Sequence, residues 1–177
     1  TMSGAAIYAI SVHLMPLAES VGFSAQTGAL MVTVMTVSSI AGRLGFGWLG
    51  DLWDKRYVIS LALGLEVVSL AAVAYVPRLG VLMTSLAFFG AAYGGTVVLR
   101  PAIQADYFGI RAFGKIQGAM MAVLTISAVI GPVFMGWVFD WTGSYRLSLE
   151  VFAGAALLAL PLILALPHPA CRQQRPT

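Results

Sequence analysis

Long apolar blocks and short polar gaps alternate along this chain. Six blocks lie near residues 1–18, 28–49, 57–76, 79–102, 116–139 and 147–166. Between them stand Glu19-Ser20-Val21-Gly22, Asp51 to Arg56, Pro77-Arg78, Asp106 to Lys115 and Asp140 to Arg146. A helix needs about 20 apolar residues to cross a bilayer, and each block is near that length. Most blocks contain Gly or Pro, which membrane helices tolerate because neighbouring helices and side chains satisfy the freed backbone groups. The pattern predicts an all-α membrane protein: a six-helix transmembrane bundle over 1–166 and a polar, Pro-rich tail over 167–177.

One phrase is written twice. Gly42-x4-Gly47-Trp48-x2-Asp51 recurs as Gly131-x4-Gly136-Trp137-x2-Asp140, with Pro132 following the first glycine of the second copy; the offset is 89 residues throughout. Each copy closes an apolar block, so each marks a helix end meeting a polar loop. A duplicated three-helix unit points to two inverted repeats, the construction of many transporters. Carrying the offset back from the fourth block places the start of the first before Thr1, so the first helix is expected to be truncated.

Composition agrees. The chain is 59% hydrophobic and 10% charged, with a mean hydropathy of +0.89, too little charge to cover a soluble domain. Lys55, Arg56, Arg111, Lys115, Arg172 and Arg175 fall on one side of the six-helix topology; only Arg78 and Arg146 fall on the other, while Arg43 and Arg100 lie inside helices. The positive-inside rule puts the larger set, and the C-terminus, in the cytoplasm of a multi-pass membrane protein. Trp48, Trp53 and Tyr57 then mark the inner interface, and Trp137, Trp141 and Tyr145 the outer one. The two copies of the phrase end on opposite sides, as inverted repeats require. The net charge of +3 reflects this loop bias and gives no basic patch with interleaved aromatics, so nucleic acid is not an expected partner. One cysteine, Cys171, excludes an intrachain disulfide, and His13 and His168 are too far apart to suggest a metal; His13 reads as an interfacial histidine. No cofactor is expected. No cluster of nucleophile, base and acid appears, so the chain does not read as an enzyme.

Gly47-x3-Asp51-x2-Asp54-Lys55-Arg56 resembles the cytoplasmic loop motif of the major facilitator superfamily, with Asp54 where Gly is usual. Arg100-Pro101-Ala102, Ala105-Asp106-Tyr107-Phe108-Gly109, Gly118, Gly131-Pro132 and Asp140-x2-Gly143-Ser144-Tyr145-Arg146 resemble the C-terminal half of monocarboxylate-transporter-like and oxalate/formate-antiporter-like members. The resemblance covers essentially the whole chain and implies helices seven to twelve of a twelve-helix fold. It further implies a secondary active transporter for small organic anions, mono- or dicarboxylates. The lipid bilayer and the N-terminal six-helix half of the same transporter would be its partners.

Arg43 is the leading candidate residue. It precedes Asp51 by eight residues, about 12 Å along a helix axis, where a guanidinium costs at least about 2.5–3.5 kcal/mol on insertion scales. Thr36, Ser39, Arg43 and Gly47 share i, i+3, i+7, i+11 spacing, one polar and narrow helix face. That face is expected to border a water-filled cavity, with Arg43 able to hold a carboxylate through two parallel hydrogen bonds. The resemblance makes Arg43 the substrate-anion residue; the plainer alternative is an arginine that holds a gate shut. Arg100, on a face with Tyr93, is a second candidate, and two arginines facing one cavity would suit a dicarboxylate. Its alternative is an arginine latched to Asp106. Tyr93 and Thr125 are expected to help shape the cavity.

Glu66 lies mid-block in the third segment and invites a proton-coupling reading. The resemblance puts this helix at the bundle's periphery, so a protonated or interhelically bonded Glu66 is expected instead. Ser39 stands where several proton-coupled monocarboxylate transporters carry Asp, and no Lys occurs between Gln117 and Asp140, where oxalate/formate antiporters use one. Neither coupling chemistry carries over. The motif residues Gly47, Asp51, Asp54, Lys55 and Arg56 are expected to form a gate, Asp51, Lys55 and Arg56 clasping the 106–115 loop that begins at Asp106. Two alternatives stand beside the anion transporter: a carrier of neutral or drug-like substrates with Arg43 structural, and a six-helix membrane protein with no transport role.

Overall fold

The computed structural model describes residues 2–76 and 78–166. The tail and Pro77, hence also His168, Cys171, Arg172 and Arg175, lie outside the described residues. Five helices follow one another: α1 Met2–Ser20, α2 Ala25–Leu52, α3 Lys55–Tyr75, α4 Leu79–Thr142 and α5 Arg146–Leu164. Local chemistry sets their ends. The Ser24 hydroxyl accepts from the Thr27 amide at 3.3 Å to cap α2, and the Asp54 carboxylate accepts from the Arg56 amide at 3.0 Å to open α3. Both satisfy a donor that a helix start leaves free. Gly143, with φ 67°, closes α4 in the left-handed region.

Four helices (α2, α3, α4 and α5) are long and apolar enough to cross a membrane. At 64 residues α4 is far longer than one crossing. Gly109, with φ 71° and ψ 170°, breaks it, and the chain doubles back there: the Gln104 amide meets the Met120 sulfur across the bend at 2.5 Å. Residues 79–108 and 110–142 thus form two arms. This corrects the expectation of a loop over 106–115. The polar residues there sit on helical turns, and one glycine in a conformation closed to other residues suffices for the reversal.

The helices touch through small residues. A methyl added at Gly42 would strike the backbone carbonyl of Ala91; one at Gly90, that of Met35; one at Gly94, that of Ser39. The α2 backbone therefore lies directly on the first arm of α4. On the other side of the bundle, a methyl at Gly131 would come within 2.5 Å of the Ala5 carbonyl oxygen, joining α1 to the second arm. Gly42 and Gly131 are the opening glycines of the repeated phrase, and each is a helix-crossing point. The tryptophans behind them, Trp48 and Trp137, are both exposed. Large apolar side chains face outward all round (Val68, Leu158 and Leu162 among them) while Ala6, Ala9, Ala62 and Ala92 are buried at the seams. Close backbone packing at small residues with an apolar exterior is how helices associate in lipid.

Two aromatic assignments change. Tyr145 is only 5% exposed, stacked on Phe139 at 4.3 Å and tilted against His13 at 5.6 Å. It is a packing residue, not an interfacial one. His13 is half-buried, and its Nε2 lies 3.0 Å from the Pro132 carbonyl, so it ties α1 to α4.

Replacing Gly42 or Gly94 by Val is expected to destabilise the bundle by about 1–3 kcal/mol or more, since the added methyls meet backbone that cannot move aside. Gly64→Ala, at a helical position where an added methyl would meet open space, is expected to be neutral or slightly stabilising. Thermal unfolding in detergent separates the two outcomes.

Candidate functional site

The α2–α4 seam decides which way α2 presents its polar residues. With Gly42 against Ala91, Arg43 is turned about 100° round the helix and is exposed, as is Thr36 two turns earlier. Ser39 is 8% exposed, because it falls on the side that meets Gly94. Gly47 is half-buried, with Val98 as the neighbour a methyl would meet. The polar face expected from spacing therefore splits: Thr36 and Arg43 face outward, while Ser39 turns into the seam. The Thr36 hydroxyl donates to the Val32 carbonyl at 2.8 Å, leaving oxygen lone pairs free. Among the described residues, no carboxylate pairs with Arg43.

Tyr93, on the first arm of α4, is half-buried against the core that joins α1, α2 and α4. Its phenol lies in the electrostatic field of Arg43, Arg100 and Glu66, and of Tyr8 on α1. Tyr8 is 45% exposed and was not among the candidates read from the sequence, since nothing along the chain shows that α1 brings it to Tyr93. Thr125 is exposed on the second arm, its hydroxyl donating to the Met121 carbonyl at 3.0 Å.

Arg100 faces elsewhere. It lines a cleft of about 460 Å³ with Ile59 and Leu63 of α3, Thr96 and Met120 of α4, and Ala156 of α5. It attracts Glu66, which is 1% exposed on α3. Among the described residues Arg100 thus lies towards Glu66, and Asp106 is paired elsewhere.

Asp106 is held by Lys55 instead. The Lys55 ammonium donates to the Asp106 carboxylate at 2.8 Å, joining α3 to α4 beside the Gly109 bend. Arg56 turns back on Asp54, its guanidinium Nη2 at 2.6 Å from the carboxylate, and reaches the Leu166 carbonyl at 2.5 Å beyond α5. These residues, with Asp51 and Tyr107, border a hollow of about 230 Å³. Of the clasp expected of Asp51, Lys55 and Arg56, the Lys55–Asp106 pair is present; Asp51 is exposed, and Arg56 bonds Asp54 and the carbonyl beyond α5. Asp140, the second copy's aspartate, is also exposed. At the opposite end, Glu150 accepts from the Tyr75 hydroxyl at 2.8 Å and from Arg146 at 2.9 Å. The Arg146 guanidinium also lies 4.2 Å above the Tyr75 ring. The i, i+4 pair legible in sequence is therefore an α3–α5 tie.

The family model described as Major Facilitator Superfamily matches residues 1–177. The chain belongs to the major facilitator superfamily. It is 29% identical over 168 residues to monocarboxylate transporter 12 of Rattus norvegicus, covering 93% of this chain and 34% of the relative. It is 28% identical over 166 residues to monocarboxylate transporter 7 of Homo sapiens, covering 90% and 32%. Monocarboxylate transporter 13 of Bos taurus is 30% identical over 169 residues, covering 90% and 38%. The chain spans about a third of the length of these curated relatives. It is a multi-pass membrane chain of a transporter family, and Lys55 of the loop motif read from sequence pairs with Asp106.

Asp106→Lys is expected to weaken the α3–α4 junction, and Lys55→Asp combined with it to restore it. Both side chains are partly exposed, so a double-mutant cycle on thermal stability should give a coupling of about 0.2–1 kcal/mol.

Proposed function

We propose that this chain is the C-terminal six-helix half of a secondary active transporter for small organic anions bearing a single carboxylate. The observation that carries this is the contrast between two arginines. Arg43 presents its guanidinium on an open helix face with no carboxylate partner among the described residues, whereas Arg100 is turned towards α3 and attracts Glu66. A guanidinium in a membrane helix calls for a counter-charge; on the open face, that is a place for a substrate's. A single guanidinium on that face suits one carboxylate, so a monocarboxylate is favoured over a dicarboxylate.

Arg43 anchors the anion, Tyr93 and Tyr8 flank it, and Thr36 offers a further polar contact. The matching relatives are named monocarboxylate transporters, which agrees with this substrate class. Alternating access follows from two inverted three-helix repeats, supported by the equivalent packing of Gly42 and Gly131 and by the doubling back at Gly109. The six-helix domain over 1–166 closes against an N-terminal half, and Lys55–Asp106, with Asp54 and Arg56 beside it, is a gate on the cytoplasmic side, where the C-terminus also lies. Ser39 and Thr125 have a secondary part at most, since one is in the seam and the other far along the second arm.

The test is uptake of labelled small carboxylates by cells expressing the full-length gene, at matched membrane abundance. Arg43→Gln is expected to weaken apparent affinity about tenfold to hundredfold, from a charged hydrogen bond worth about 1.5–3 kcal/mol, while Arg100→Gln leaves apparent affinity closer to wild type. Unchanged carboxylate uptake in Arg43→Gln would make Arg43 structural. Absence of carboxylate uptake by wild type, with uptake of neutral compounds, would select the neutral-substrate carrier.

A further inference from the structure

The cleft of about 460 Å³ between α3, α4 and α5 is lined by apolar residues, with Arg100 and Thr96 the polar ones among the described residues. Along α5 its wall includes Ala155, Ala156 and Ala159, whose single-carbon side chains leave the space beside α4 unfilled. Leu158 and Leu162, also in the lining, are 72% and 71% exposed. The cleft therefore opens sideways, onto the apolar exterior of the bundle.

Arg100 marks one end of it. The neighbouring Leu99 packs with Val58 and Ile59 at the start of α3. Phe108, the last residue of the first arm, is eight residues further on, about 12 Å along the axis. Thr96 stands one turn deeper on the same face of α4, and Leu63 one turn deeper than Ile59 on α3. From the guanidinium the apolar walls thus run away from the helix ends and towards mid-bundle. On α5 they extend from Ile163 back to Ala155, again about 12 Å.

We propose that this cleft binds a long-chain fatty acid taken sideways from the bilayer, its carboxylate on Arg100 and its acyl chain along α5. The head group follows from the guanidinium, which is planar, permanently charged and matched to a carboxylate through two parallel hydrogen bonds. The chain follows from the walls: the volume lies within the about 300–1,000 Å³ of small-molecule sites, which combine apolar linings with a few placed polar groups. Order matters too. The charged end lies towards the helix ends and the apolar run towards the middle, as in a lipid leaflet, so a fatty acid enters without turning over. A two-chain phospholipid fits less well. Its head would lie level with Lys55 and Arg56, which already hold Asp106 and Asp54, and the cleft lining supplies no second cation. Glu66 lies one turn past Leu63, outside the lining, and its field draws Arg100; with five N–H donors the guanidinium can face a second carboxylate.

The site is separate from the open face of α2 and does not rest on the transporter reading. Arg43, on an open helix face, suits a small hydrated anion, whereas Arg100, at the head of an apolar cleft, suits an amphipathic one. Lipid tails are as apolar as the cleft, so the acyl chain gains little by leaving them. The guanidinium must supply the preference, and that decides the test.

Photo-crosslinking of the full-length protein in lipid nanodiscs uses one probe, palmitic acid carrying a diazirine on its chain. Saturable labelling is expected within residues 155–163 of α5, displaced by unlabelled palmitate. Arg100→Gln weakens the apparent affinity about tenfold to hundredfold, and converting the probe to its methyl ester does the same. Ala159→Phe fills the cleft, keeps the charge and removes the labelling, which covers the case of an Arg100→Gln protein that does not fold. Labelling indifferent to both substitutions, or equal for acid and ester, overturns the proposal. So does labelling spread over the apolar exterior, or none on α5 because another part of the protein covers the cleft. Equal displacement by phosphatidylglycerol overturns it as well, by making the cleft a general contact for anionic lipid. None of these readouts involves uptake, so their outcome is independent of the substrate assigned to Arg43.

Discussion

The backbone contact between α2 and the first arm of α4 governs the rest of the molecule. Gly42, Gly90 and Gly94 let the two helices meet with no side chain between them. In lipid there is no hydrophobic drive to bring helices together, so close van der Waals contact must supply the cohesion. A contact this tight also fixes rotation about the helix axes. Once Gly42 is against Ala91, Arg43 can only point outward, Ser39 can only point into the seam, and Tyr93 is held beside Arg43. The rotational setting of one helix thus selects which polar residues lie on its open face.

Charge is sorted along the same lines. Lys55 and Asp106 meet beside the bend at Gly109, and Arg146, Glu150 and Tyr75 tie α3 to α5 at the far end. Both clusters are partly exposed, where single ion pairs contribute little stability. Their value lies in being makeable and breakable as helices move. The interior charges differ. Arg100 lies in the field of the buried Glu66, whereas no ion pair to Arg43 is present among the described residues.

Much of this was legible in the sequence. Apolar block length gave the helices, because crossing a bilayer fixes a length. The twice-written phrase pointed to Gly42 and Gly131, which prove to be crossing points of equivalent kind. Arg43 stood out because an arginine inside an apolar block is expensive. What escaped was whatever depends on the rotation and pairing of helices. Ser39 lies about 60° from Thr36 on the helix wheel, close enough to share a predicted face and far enough to fall in a seam. Tyr145 looked like an interfacial aromatic, yet Phe139 and His13 enclose it. Tyr8 and Glu66 acquire meaning only beside Tyr93 and Arg100, which are distant in sequence. The stretch 106–115 read as a loop because its polar residues mark an exposed bend, whereas one glycine at positive φ makes the bend and the flanking turns remain helical.

The central claim is that the open face of α2 borders water and receives the substrate's carboxylate. Thiol accessibility tests it most directly, in a full-length background where Cys171, the one cysteine of this sequence, and every cysteine outside it are replaced by Ser. Thr36→Cys in the full-length protein would be exposed to a hydrophilic, membrane-impermeant thiol reagent with and without a saturating monocarboxylate. The account predicts labelling that the carboxylate slows and that it no longer slows once Arg43→Gln is added. A cysteine at position 36 that never labels, or labels at the same rate with and without carboxylate while Arg43 is intact, contradicts it.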